Sequence, residues 1–217
     1  MTGIQEFICS LSARIPGSYL YMVRKELGVR KKILDVGCGN GAPMYILAQG
    51  RHLDITGIDI FPPSVQAARN TGVYTTVVRK DVRLFPYEKK HFDIVVSMFV
   101  LEHLKKSDGV KLLARMEKAA SEKVVIIIPM GACEQHAYEG NAHQEHLSEW
   151  YADDFQKRGY RVVGQGLTLY DQNPIMRKLL VSIGPLNNII FMFHILFQPF
   201  IATRYQYARH LICVKTL

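Results

Sequence analysis

A short apolar run ending in three glycines at alternate positions constrains this chain more than any other feature. Ile33-Leu34-Asp35-Val36-Gly37-Cys38-Gly39-Asn40-Gly41 follows two lysines, Lys31 and Lys32. The run reads as a buried strand that stops in a glycine-rich turn and opens into a helix. Glycine admits positive φ and lets backbone come close to a ligand, and the first N–H groups of the helix beyond have no partner within it. The stretch is a seat for a polar, nucleotide-like ligand.

The rest of the chain supplies the scaffold such a turn needs. Strand 33–36 leads to helix 42–49, and strand 54–58 to helix 63–70, where Pro62-Pro63 suits a first turn. A third strand covers 74–79 and a fourth 92–97, followed by a helix at 107–120. Val124–Ile128 is so apolar that it must be buried on both faces. Ser148 is placed to cap helix 149–158, which Gly159 ends; strands at 161–170 and 210–215 complete the pattern. Strands separated by helices require a parallel sheet with right-handed crossovers, so the fold class is α/β, doubly wound. Ahead of this core, Ile4, Phe7, Ile8, Leu11 and Ile15 share one helical face. Pro16-Gly17 interrupts the pattern, Ser18 can cap a second helix and Gly28 can end it. These helices cover the sheet edge, with Tyr19 and Tyr21 within reach of a cleft.

Charge and cysteine content narrow the setting. A surplus of 27 Lys+Arg over 19 Asp+Glu gives a formal +8, which favours acidic partners. The basic residues are nevertheless spread along the chain in nothing longer than short pairs, as a basic surface would have them. Cys9, Cys38, Cys133 and Cys213 contain no CxxC pair. That spacing is neither a zinc pattern nor a disulfide framework, and it fits a reducing, cytoplasmic setting. The start of the sequence has no basic region of the secretory kind.

Two ligands compete for the turn. Gly37-x-Gly39-x-x-Ala42, with Asp59 about twenty residues on, satisfies the dinucleotide fingerprint and would make the chain an NAD(P)-dependent oxidoreductase. Asp35 points elsewhere. It stands where a dinucleotide-binding strand needs only an apolar side chain, and a carboxylate facing the cleft there suits a ligand with an ammonium group.

Ordered motifs over residues 31–165 resemble those of the class I S-adenosylmethionine-dependent methyltransferases, particularly the group that includes the quinone-biosynthesis C-methyltransferases. Leu34–Gly41 resembles the first motif, and Gly57-Ile58-Asp59-Ile60 the second, whose acid binds both ribose hydroxyls. Asp81-Val82 before Leu84-Phe85-Pro86-Tyr87 is similar to the segment that contacts adenine. Phe92–Ser97 with Val100-Leu101-Glu102-His103-Leu104, and His146-Leu147-Ser148-Glu149-Trp150 with Asp154-Phe155 and Gly159-Tyr160, resemble the later segments. The resemblance implies a seven-stranded, Rossmann-like sheet, mostly parallel with an antiparallel last strand. It implies S-adenosylmethionine as cofactor, S-adenosylhomocysteine as product, and a cofactor site on Asp35, Gly37, Cys38, Gly39, Gly41, Asp59, Ile60, Asp81, Val82, Ser97, Met98 and Phe99. Ribose offers two hydroxyl donors, and Asp59 at a strand end is a charge-assisted acceptor for both. Glu102-His103 reads as local structure at a helix start, where an acid complements the dipole.

Methyl transfer from a sulfonium is an in-line displacement in which protein supplies proximity, alignment and desolvation. A base is needed only where the acceptor must lose a proton early. His146 and His143, with His136 behind them, lie after the fifth strand at the ligand edge and are the candidates; no metal ligand set is read. The motifs of amino-methylating DNA and glutamine enzymes, of RNA 5-methylcytosine enzymes and of ribose-methylating RNA enzymes are not seen, which argues against nucleic acid and for a small-molecule acceptor. A protein that binds the cofactor without catalysis is a further alternative.

The chain thus divides into a helical cap (1–30), a cofactor core (31–170), an apolar helical insertion (171–205) and the last strand (206–217), all within one methyltransferase domain. Ile189–Ile201 is the most apolar stretch, yet His194, Gln198 and Pro199 interrupt it, and it falls short of the about 20 apolar residues a bilayer span needs. It is expected as a lid over the acceptor pocket. Its apolar surface can pack internally, line a pocket for a partly hydrophobic acceptor or touch a membrane through 186–203, or form a homodimer contact.

Overall fold

The structure, a computed structural model, describes residues 13–137, 140–167 and 197–217. The helix expected from Ile4 to Leu11 and the insertion from 171 to 196 lie outside the described residues, and so do residues 168–170 of the sixth expected strand.

The described chain runs α1 (Tyr19–Glu26), β1 (Arg30–Val36), α2 (Ala42–Ala48), β2 (His52–Asp59), α3 (Pro62–Asn70), β3 (Thr76–Arg79) and β4 (Phe92–Met98). After a 3₁₀ turn at Leu101–His103 come α4 (Lys106–Ala119), β5 (Ala120–Pro129), α5 (Ala152–Gln156), β6 (Arg161–Leu167) and β7 (Ala208–Thr216). The strands form one seven-stranded sheet in the order β3-β2-β1-β4-β5-β7-β6. β1 to β5 are mutually parallel, and β7 enters antiparallel between β5 and β6. The expected doubly wound sheet with an antiparallel last strand is found.

Strand periodicity sorts the core onto two faces, because successive side chains point to opposite sides. Leu34 and Val36 of β1, Val95 of β4, Val124, Ile126 and Ile128 of β5, and Leu211 and Cys213 of β7 pack together with Leu112, Leu113 and Met116 of α4 and with Trp150 and Phe155. The alternate residues, Ile33, Ile94, Val96, Val125, Ile127, Ile212 and Val214, meet Leu20 and Val23 of α1 and Met44, Ile46 and Leu47 of α2. Burial on both faces accounts for the continuous apolar run in β5.

Local signals act largely as read. Ser18 Oγ accepts from the Tyr21 N–H at 3.1 Å and caps α1, and Gly28 follows its end with φ +66°. One capping expectation fails. The helix expected over 149–158 is α5, begun by Tyr151, while Ser148 Oγ donates to the Leu101 carbonyl at 3.2 Å and accepts from the Trp150 indole N–H at 3.0 Å. The hydroxyl was expected to serve backbone N–H groups of a helix; burying the indole creates the stronger demand.

β1 to β5 all end at one edge, where the loops that follow them converge. The antiparallel β7 brings its beginning there instead, so that His210 stands opposite Pro129. Among the described residues, no helix is long and apolar enough to cross a membrane.

Candidate active site

The strand ends surround a cleft of about 880 Å³. Its first wall is the glycine turn. Gly37 and Cys38 N–H groups donate to the Ile58 carbonyl at 2.8 and 2.9 Å, which anchors the turn to β2. A side chain at Gly37 would stand 2.3 Å from Val100 Cγ2, and its φ is +72°, so this glycine is required twice over. Gly39 differs. It also has positive φ, but no atom lies within 4 Å of where its Cβ would be, so bare backbone faces open cleft.

Asp59 ties turn and strand together. One carboxylate oxygen accepts from the Gly39 N–H at 2.9 Å and the other from the Phe61 N–H at 2.8 Å. Each oxygen keeps further acceptor capacity, and the residue lines the cleft beside Ile60. Phe61 is the residue before α3, so Asp59 does not cap that helix. On the neighbouring loop, Asp81 accepts from Arg83 Nη2 at 2.6 Å and from the Arg83 backbone N–H at 2.8 Å. That guanidinium holds its carboxyl below the usual carboxylate range. Val82 is buried, and its carbonyl accepts from the Tyr87 hydroxyl at 2.8 Å.

Asp35 is placed behind this wall rather than in it. It is 1% exposed and does not line the cleft. Tyr74 OH donates to one of its oxygens at 2.7 Å while the other has no partner, and burial pushes its carboxyl up to about 7. The alternation of β1 turns Asp35 into the layer where Tyr74 packs on Gly57 and Gly41, directly behind the glycine turn. Gly41 and Ser97 are likewise not among the lining residues. Nor is His136.

The far wall begins where β4 ends. Met98 and Phe99 line the cleft, and Phe99 has φ +59°, a left-handed conformation costly for an aromatic residue. Its N–H donates to the Ile127 carbonyl at 2.9 Å, and its ring meets Tyr19 and His210 edge-on at 5.8 and 5.0 Å. Burial, aided by Arg209, lowers His210 to about 4, so this imidazole is neutral at pH 7.

Beyond Phe99 stand the groups that sequence reading undervalued. Glu102 is 3% exposed within the 3₁₀ turn, and one carboxylate oxygen has no hydrogen-bond partner. The α-helix it was expected to start begins only at Lys106, so Glu102 does not complement that helix's dipole. The Glu102 carbonyl accepts from the Leu147 and Ser148 N–H groups at 2.7 and 3.1 Å, which straps the loop after β5 onto this turn. His146 thereby comes beside His103, with ring centres 4.9 Å apart. His143 also lines the cleft. Among the described residues, the buried side-chain polar atoms without a partner are Asp35 Oδ1, Ser97 Oγ and Glu102 Oε2. Asp35 and Ser97 lie in β1 and β4 behind the cleft wall, while Glu102, in the 3₁₀ turn after β4, lines the cleft, where unsatisfied polarity calls for a ligand or function.

Residues 33–123 match the family model of a methyltransferase domain. Among curated proteins, the chain is 31% identical over 104 residues to ajmaline N-methyltransferase of Rauvolfia serpentina, covering 45% of this chain and 35% of that protein. It is 35% identical over 92 residues to the ubiquinone biosynthesis O-methyltransferase of Photorhabdus laumondii, covering 39% of this chain and 37% of that protein. The matches thus span only about a third of either relative's length. Among solved structures, a SAM-dependent methyltransferase from Archaeoglobus fulgidus superposes with a TM-score of 0.58 at 15% identity, over 98% of this chain and 94% of that one. Residues 33–123 are similar to a methyltransferase domain, and the sheet as a whole has the fold of the SAM-dependent methyltransferase from Archaeoglobus fulgidus. The dinucleotide alternative loses its footing in β7, because a dinucleotide-binding sheet continues parallel where this one inserts an antiparallel strand.

Proposed function

We propose that the chain transfers a methyl group from S-adenosylmethionine to an oxygen or nitrogen of a small, partly hydrophobic acceptor. One observation carries the reading: a single cleft joins the glycine turn and Asp59 to the imidazoles of His103, His143 and His146. The residues fit the cofactor. Open space at Gly39 leaves a cradle that any side chain would fill, and Asp59 keeps acceptor capacity for two ribose hydroxyls. Cys38, Ile60 and Val82 supply apolar walls, with Asp81 at their rim and Met98 and Phe99 on the floor. Asp35, Gly41 and Ser97 support that cradle from behind. The bound cofactor supplies an activated methyl on a sulfonium; the protein's task is to align and desolvate the partners.

Phe99, held in its left-handed conformation by the Ile127 carbonyl, sets the floor against which the acceptor lies. Met130 extends that floor with flexible apolar surface. His143 and His146 stand on the acceptor side, where a neutral imidazole can take the proton released by a hydroxyl or ammonium.

Calorimetry with S-adenosylhomocysteine tests the cofactor half. Wild type should bind it and not NAD, and Asp59→Ala should lose binding by about 100-fold or more, as charge-assisted hydrogen bonds are removed. Unchanged affinity in that variant would show the ribose assignment wrong. Methyl transfer to a panel of phenols and amines, with the labelled methyl group counted, tests the acceptor half.

A further inference from the structure

Three side chains on the acceptor side form an arrangement that methyl transfer alone does not require. Glu102, His103 and His146 each offer a ligand atom, and these atoms lie within 4.8 Å of one another. We propose that they form a binding site for one divalent transition-metal ion of the zinc class. The site itself stands on its own geometry; only its place beside the acceptor rests on the function proposed above.

The chemistry of the donors is the first support. His103 Nδ1 pairs with the Glu145 carbonyl at 3.1 Å, and His146 Nδ1 with the Cys133 carbonyl. A carbonyl only accepts, so both Nδ1 atoms carry the proton and both rings hold their lone pair on Nε2. Orientation of a ligating imidazole by a backbone carbonyl on its other nitrogen is how metal-binding histidines are commonly held. The carboxylate is the second support. Glu102 is 3% exposed, and its Oε2 has no partner. A buried carboxylate oxygen left in this state is costly unless a cation or donor completes it.

The third support is that the cluster is built from two separate segments and locked. The Leu147 and Ser148 N–H groups both reach the Glu102 carbonyl, so His146 is fixed against the turn bearing Glu102 and His103. Two imidazoles and one carboxylate suit zinc and its neighbours, and such a set leaves a coordination position open. Bonds of about 2.0–2.2 Å place tetrahedral ligand atoms roughly 3.3 Å apart, so the side chains would close in by about an ångström around the ion. All three residues line the cleft, so the open position faces the acceptor. An acceptor hydroxyl coordinated there would ionise near neutral pH. Its proton would pass to solvent or to His143, since His146 as a ligand no longer has a lone pair free to act as the base.

The full chain, stripped with chelator and titrated calorimetrically with Zn²⁺, should take up one equivalent with a Kd of about micromolar or tighter. Co²⁺ in its place should give visible absorption of a four- or five-coordinate ion. Glu102→Gln and His146→Ala should each weaken Zn²⁺ binding by at least about 10-fold, whereas His143→Ala should not change it. Circular dichroism of each variant, with the wild-type titration as reference, separates ligand loss from misfolding. Absence of stoichiometric uptake by wild type, or equal affinity in both folded ligand variants, would overturn the proposal. S-adenosylhomocysteine is titrated into the same preparations. Zinc uptake without cofactor binding defeats the methyl-transfer reading and leaves the metal site, and the reverse result does the opposite.

Discussion

Individual residues in this cleft are set by backbone geometry before they are set by side-chain chemistry. Gly37 has φ +72°, and a Cβ there would lie 2.3 Å from Val100. Gly37→Ala should therefore lower stability by at least about 1–3 kcal/mol, the usual cost of an overpacked core position, with added backbone strain. Urea unfolding measures this, and a midpoint equal to wild type would show that the turn is looser than described. Gly39 makes the complementary case. Space at its Cβ is open, so Gly39→Val should leave folding nearly intact apart from its positive-φ cost while blocking S-adenosylhomocysteine. A Gly39→Val variant that still bound the ligand at wild-type affinity would remove the cradle from the cofactor site. The two glycines look alike in sequence and serve different ends.

At the scale of elements, the loop after β5 is attached by a few buried bonds. Trp150, 1% exposed, packs on Gly109 of α4, and Lys106 lies 3.8 Å above its ring centre. Ser148 links this indole to the Leu101 carbonyl beside Glu102. Ser148→Ala would leave the indole N–H buried without its acceptor, a loss of about 1–3 kcal/mol. Because the same loop carries His146, the variant should also loosen the pairing of His146 with His103. Amide hydrogen exchange at Leu147 is the direct measurement, and unchanged protection there would separate the loop's anchoring from Ser148. β7 has a similar reach: its antiparallel entry delivers His210 to the floor beside Phe99.

The molecule as a whole carries a buried carboxyl whose protonation is linked to folding. Asp35 is surrounded by Tyr74, which donates to it, and by Asp59 and Cys38. Burial, opposed by the Tyr74 hydrogen bond and reinforced by the Asp59 charge, raises it to about 7, well above the usual carboxylate range. The folded chain thus holds a proton that the unfolded chain releases. Its contribution to stability is full below about pH 4, falls as pH rises to about 7 and is flat above. Relative to Asp35→Asn, wild type should lose on the order of a few kcal/mol between pH 4 and pH 8. Urea midpoints of both proteins at pH 4, 6 and 8 read this difference, and a constant gap would mean that Asp35 titrates normally. A cation close to Asp35, such as the ammonium of a bound aminoacyl group, would oppose the loss.

Local sequence by itself determined the architecture, because its signals are short-range. Alternation in β1, β4 and β5 decides which side chains face which layer, and glycines mark the turn where β1 ends. Strand–helix repetition then leaves a mostly parallel sheet with a cleft at its carboxyl edge, and Asp59, the Asp81 loop and Phe99 line that cleft in the order they have along the chain. Tertiary structure alone decided the rest. Asp35 is buried behind the cleft wall, where Tyr74, on the loop before β3, donates to it; nothing near either residue announces that contact. Glu102 and His103 read as helix-start residues until the loop carrying His146 folds onto them across more than forty positions. No spacing rule connects those three, since the bonds that join them run through backbone carbonyls and are blind to side-chain identity. Sequence thus specifies where the cleft opens in this fold, and folding specifies which charges surround it.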